Sequence, residues 1–149
     1  MEETKEMEWQ AGKNTHENVI FSCFGGLSNT GIVSALASLE AVKELGLKKV
    51  AIACLGGLPT NVDMVLAKTK AAKRIITVDG CPKECTKKIV ENAGFKVSKS
   101  IVLVRDINMK KKPLHEAIGE TPKPMMMEYV SNEDVRKAKE LIVKAINED

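Results

Sequence analysis

Asn18-Val19-Ile20-Phe21-Ser22-Cys23-Phe24-Gly25-Gly26-Leu27 is an apolar, β-branched run that ends in a cysteine and a glycine pair. The chain repeats the pattern as Lys49-Val50-Ala51-Ile52-Ala53-Cys54-Leu55-Gly56-Gly57-Leu58. Short apolar runs bounded by glycines read as buried strands. Behind the first, Ile32, Ala35, Leu36, Leu39, Val42 and Leu45 recur at helical spacing up to Gly46, with Ser28 or Thr30 as the cap. Behind the second, Thr60 and Asp63 resemble a capping box, and Val62, Val65, Leu66 and Ala72 supply a buried face. Two successive strand–loop–helix units predict parallel strands joined by right-handed crossovers, with equivalent loops at one edge of the sheet.

The pattern continues outward from this pair. Arg74-Ile75-Ile76-Thr77-Val78-Asp79 predicts a third strand, followed by Gly80-Cys81, a helix opened by Pro82 with Ile89, Val90 and Ala93 facing inward, and a stop at Gly94. Lys99-Ser100-Ile101-Val102-Leu103-Val104 predicts a fourth strand, after which Arg105 and Asp106 emerge at the edge that carries the cysteines. From Ile107 to Val130 the prolines at 113, 122 and 124 interrupt the pattern around a short helical turn at Leu114 to Ile118, so this stretch reads as a partly irregular excursion. Ser131 and Asp134 then open a last helix with Val135, Ala138, Leu141, Ile142 and Ala145 on one stripe. The expectation is an α/β fold: residues 16–149 as a single three-layer domain, Rossmann-like or flavodoxin-like, with a mainly parallel sheet of four or more strands covered on both faces. Residues 1–15, where Trp9 stands alone among polar neighbours, read as a flexible arm.

At 149 residues, 44% hydrophobic and 29% charged, the chain has the balance of one soluble globular domain, and its 3% aromatic content leaves the core to aliphatic side chains. The net charge of +3 is spread over many lysines and glutamates. That balance points to neither nucleic acid nor a membrane surface, and Lys110 to Lys112 read as solvated surface. No run approaches the roughly 20 apolar residues that span a bilayer. The start, Met1-Glu2-Glu3-Thr4-Lys5-Glu6, is acidic where a secretion signal would be basic and then apolar. A cytoplasmic protein with reduced thiols is expected, so its cysteines read as metal-binding or reactive before they read as disulfides.

The chain has four cysteines, and all fall at strand ends or just beyond: Cys23, Cys54, Cys81 and Cys85. In an open α/β sheet the region outside the carboxyl ends of the strands is where ligands bind. Neighbouring parallel strands lie about 4.8 Å apart, so thiols after three adjacent strands can meet over the middle one. Spacing of i and i+4 puts Cys81 and Cys85 on one face of a first helical turn, closing a four-sulfur cage for a tetrahedral zinc ion with bonds of about 2.3 Å. Helix N-termini also stabilise thiolates, so the same placement suits thiol redox chemistry or sulfur transfer through a persulfide, and four thiols also suit an iron–sulfur cluster. Core cysteines would fall anywhere along a strand, not at its end beside glycines. The glycine loops match neither phosphate-binding fingerprint. His16 and His115 read as surface histidines, with His115 the better reserve ligand, and Met125-Met126-Met127 reads as packing. The roles of Asp79 and Glu84 beside the thiols stay open.

With Val78-Asp79-Gly80-Cys81-Pro82 and Cys85 after a strand, and a Cys-x-Gly loop followed by Ser28-Asn29, the chain resembles the DGC-domain family, proteins described as zinc-binding. Asp79-Gly80-Cys81 is the naming motif, and the resemblance runs from about Asn18 to Lys112. Some members carry a further cysteine in the first loop where this chain has Gly26 and Leu27. The resemblance implies four chelating cysteines and no particular activity. Together with the spacing it leads to the expectation of one zinc ion held by Cys23, Cys54, Cys81 and Cys85.

Overall fold

Asn18–Ser22 (β1), Val50–Ile52 (β2), Arg74–Asp79 (β3) and Lys99–Val102 (β4) form one sheet in the order β2-β1-β3-β4, in a computed structural model that describes residues 8–117 and 126–148. Every pairing is parallel: Ile20 lies opposite Ile52 on one side and Ile76 on the other, and Val78 lies opposite Ile101. The helices are Asn29–Leu45 (α1), Asp63–Ala71 (α2), Cys85–Asn92 (α3), Leu103–Asp106 (α4) and Asn132–Asn147 (α5).

The strands are near-continuous apolar runs because both faces of the sheet are covered. Ile20, Val50, Ile76, Val78 and Ile101 pack under α1 and α5 with Val33, Ala37, Ala41, Ala138 and Ile142. Val19, Phe21 and Ile75, of the opposite parity on the same strands, pack with Leu58 and Val90 on the other face. Two of the hydroxyls buried in α1 are satisfied within the helix, since Ser34 Oγ donates to the Thr30 carbonyl and Ser38 Oγ to that of Ser34. From β1 the chain crosses one face to reach β2 and then crosses the other to reach β3 on the far side of β1. The carboxyl ends of β1 and β3 therefore flank the topological switch point, the crevice in which open α/β sheets bind ligands.

The expected α/β architecture is present, and several element ends differ from the sequence reading. The fourth strand stops at Val102 because Leu103–Asp106 winds into α4, whose Asp106 carboxylate accepts the Val102 N–H at 2.8 Å. Thr60 and Asp63 form no capping box: Thr60 Oγ1 donates to the Gly56 carbonyl at 2.6 Å, and α2 opens behind Val62 with no side-chain cap. Pro82 does not open α3, which begins at Cys85. Gly94, at φ 90°, follows the last turn of α3 as expected, and Ser131 caps α5 by accepting the Asp134 N–H. The turn expected at Leu114 is a 3-10 turn over Leu114–Ala117; Ile118 and Met125 lie outside the described residues. Within the expected arm, residues 1–7 are also outside them, while Gly12 N–H bonds the Thr15 carbonyl and the Lys68 ammonium sits 4.4 Å from the centre of the Trp9 ring. Among the described residues no helix is long and apolar enough to cross a membrane.

Candidate metal centre

The pairing order puts β1 in the middle of the three cysteine-bearing units, so the Cys23 loop lies between the loops of Cys54 and Cys81. Ala53 N–H bonds the Ile20 carbonyl at 2.9 Å on one side of β1, and Cys23 N–H bonds the Val78 carbonyl at 2.8 Å on the other. Cys23 thus stands at the switch point, hydrogen-bonded to the end of β3. Its sulfur accepts the Gly25 N–H at 3.4 Å. All four cysteines are free thiols, with Cys23 and Cys81 half-buried and Cys54 and Cys85 exposed.

Two glycines pack the start of α1 between the first and third loops. A Cβ on Gly31 would lie 2.2 Å from the Gly25 carbonyl oxygen, and one on Gly80 would lie 2.6 Å from the Thr30 carbonyl carbon. Both contacts are backbone to backbone, so neither can be relieved by turning a side chain. The first turn of α1 is wedged between the Cys23 loop and the Asp79-Gly80-Cys81 turn.

Asn29, in that first turn, is buried and holds a strap formed by residues 110–114. Its Oδ1 accepts from Lys112 N at 2.6 Å and from Thr30 N at 2.9 Å, and its Nδ2 donates to the Lys110 carbonyl at 3.0 Å. Ser28 bridges Pro113, and Leu114 N–H bonds the Leu27 carbonyl at 2.9 Å. This brings exposed His115 up behind the Cys23 loop, whereas His16 bonds the Leu47 carbonyl through Nδ1, ahead of β1 and at the opposite end of that strand from Cys23. Ser28 occupies the cap position of α1 without capping it, its hydroxyl lying 3.1 Å from that of Thr30.

Asp79 is the buried carboxylate of the region. Its Oδ1 accepts the Thr86 N–H at 2.9 Å and its Oδ2 the Lys87 N–H at 3.2 Å, so the last residue of β3 caps α3 from outside the helix. This corrects the expectation that Cys81 and Cys85 share a helical face. Cys81 precedes the helix and Cys85 is its first residue, with Glu84 between them in the left-handed region at φ 49°. The Glu84 carboxylate makes no cap bond; it accepts from Ser100 Oγ at 3.3 Å and pairs with Arg105 at 3.9 Å and with Lys87 of α3 at 4.0 Å. Arg105 also pairs with Asp106 at 2.8 Å. That hydrogen bond is the main reason the Asp106 carboxyl is held below its ordinary range and the Arg105 guanidinium above its own, with desolvation opposing both. Arg105 therefore reaches the thiol edge indirectly, through the residue before Cys85.

Asn29 is a site-shaping residue whose role the sequence reading missed, and Asp79 is one whose role it left open. Their signals were letters in the Asp-Gly-Cys and Ser-Asn motifs, with no partner visible. Four free thiols suit zinc in kind and number. Among the described residues, however, no three His, Cys, Asp or Glu side chains are gathered closely enough to hold a metal ion. The donors fit the ion while their arrangement is open, so an ion bound by all four would have to draw them together.

A family model described as DGC domain matches residues 19–142. No curated protein and no solved structure matches the chain.

Proposed function

The chain belongs to the DGC domain family, and from that premise we propose that it is a zinc-binding protein whose ion is taken by Cys23, Cys54, Cys81 and Cys85 at the carboxyl edge of the sheet. The observation that carries this reading is topological: Cys23 and Cys81 follow the two strands that flank the switch point, and Cys54 follows the strand on the other side of β1. Zinc supplies a closed-shell, four-coordinate centre that accepts thiolates without redox change. The chain's part is to deliver deprotonated sulfurs and to close around the ion. Cys54 has the furthest to come, because β2 and β3 are two strand spacings apart, about 10 Å. The site therefore assembles on binding, and part of the binding free energy is spent on ordering the loops. Such a site needs thiols kept reduced, which fits a cytoplasmic protein.

Zinc uptake by full-length protein purified with its thiols reduced tests the reading, with one ion per chain as the expected result. Cys54→Ser should weaken binding at least tenfold, since a hydroxyl replaces a thiolate among four soft ligands. A natively folded, fully reduced chain that takes up no zinc would overturn the proposal.

A second reading, thiol redox or sulfur transfer through the same cysteines, is favoured by exposure. Cys54 and Cys85 are open to solvent, and Cys54 borders a cavity of about 190 Å3 together with Ala53, Met64 and Lys68. It expects a thiol that is oxidised and reduced reversibly in metal-free protein.

A further inference from the structure

Among the described residues Asp79 is the one buried side chain that can carry charge, at 2% exposure. A buried carboxylate persists only when its oxygens are engaged, and here both are, each on a backbone N–H of the first turn of α3. The residue that would ordinarily cap this helix is Glu84, but its backbone is left-handed and it makes no cap bond. The start of α3 is therefore set by the end of β3. The two ends of the segment from Asp79 to Thr86 are tied together, and Cys81 and Cys85 both lie inside it. Glu84 N–H adds a bond to the Cys81 carbonyl at 3.2 Å, and Gly80 is seated against Thr30. The backbones that carry the two thiols are thus fixed relative to each other before any ion arrives.

We propose that Asp79 is a positioning residue for metal binding: it stays out of the ion's ligand shell and holds Cys85 where it can share an ion with Cys81. The inference rests on the zinc reading above and adds the residue on which the Cys81–Cys85 half of the site depends. An amide at this position cannot replace the carboxylate, because its NH2 group would face one of the two N–H donors.

The test is zinc affinity, measured by competition with a chromophoric chelator, together with the sulfur-to-cobalt charge-transfer absorption of the cobalt-substituted chain, which counts thiolate ligands. Asp79→Asn is expected to weaken zinc binding about 10- to 100-fold, the range found when a group that orients a metal ligand is lost. It should also reduce the cobalt absorption to the level of Cys85→Ser. In a Cys85→Ser background the same substitution should change affinity no further. A purely structural role would leave the thiolate count unchanged and its effect additive with Cys85→Ser, and either result overturns the inference. The unmodified chain supplies a measurement independent of the variant's folding. The Thr86 and Lys87 amides should stay protected from hydrogen exchange with and without zinc, and loss of protection on loading means that Asp79 has left them for the ion. A reduced wild-type chain that binds no zinc overturns the metal reading itself and this inference with it.

Discussion

Gly31 and Gly80 do the same job at the scale of single residues: each lets one backbone pass where a methyl group would collide with another. Alanine at position 31 would gain up to about 1 kcal/mol of helix propensity. It would also push a Cβ to 2.2 Å from the Gly25 oxygen, inside any allowed contact and against backbone. Overpacking of this kind costs about 1–3 kcal/mol, so the collision wins and Gly31→Ala should lower the urea midpoint. Gly26, in the same loop, has nothing within 4 Å of the place a methyl group would occupy and no positive φ. Gly26→Ala should leave the midpoint unchanged or raise it slightly, by the roughly 0.4–1 kcal/mol that comes from restricting the unfolded chain. Equal losses from the two substitutions would refute the wedge. The letters alone do not separate these glycines, because close approach is a property of the neighbouring backbone: Gly25 in the preceding loop for Gly31, and Thr30, far off in sequence, for Gly80.

At the scale of elements, the Asn29 side chain ties the strap to the first turn of α1, beside the backbone bonds that join Leu114 to Leu27 and Asn29 to Lys112. Asn29 is buried and makes three side-chain hydrogen bonds, two of them to residues 110 and 112. Asn29→Ala would leave the Lys112 N–H and the Lys110 carbonyl without these partners, at a cost of about 1–3 kcal/mol for each group that stays buried. The strap should loosen before the domain unfolds: amide exchange at Lys112 and Leu114 is expected to quicken well beyond any change at Ile76 in the centre of the sheet. Uniform acceleration across these sites would mean that Asn29 supports the whole fold equally. Element types were legible from period and from breakers, as at α5, where Ser131, Asp134 and the apolar stripe agree with one another. Element ends were less so. Thr60 and Asp63 have the right letters for a cap, yet Thr60 is drawn to the Gly56 carbonyl; Pro82 is suited to a first turn, yet Asp79 starts the helix later. Local chemistry proposes an end, and a longer-range hydrogen bond can move it.

For the whole molecule, stability comes from a core on each face of the sheet, the larger drawing on all four strands and the smaller on β1 and β3. The larger lies under α1 and α5, where Ile142 and Val33 have no exposed surface. Ile142→Ala should cost about 2–5 kcal/mol, a transfer term plus a cavity. Because this face lies across the sheet from α2, the loss should appear as a lower midpoint for a single cooperative transition. A separate early melting of α5 would contradict a shared core. What the sequence by itself determined was the set of units: apolar runs long enough for strands, amphipathic runs behind them, and a cysteine at or just past the end of three strands. Those are local properties, written in periods of two and 3.6 residues. Only the tertiary structure decided that β1 lies in the middle, that Cys23 and Cys81 flank the switch point, and that Asp79 reaches past two cysteines to cap α3. Strand order depends on which face each crossover covers, and a cap depends on which donor burial leaves unpaired. Both are settled by contacts between segments far apart in the chain, and the periodicity of any one segment does not contain them.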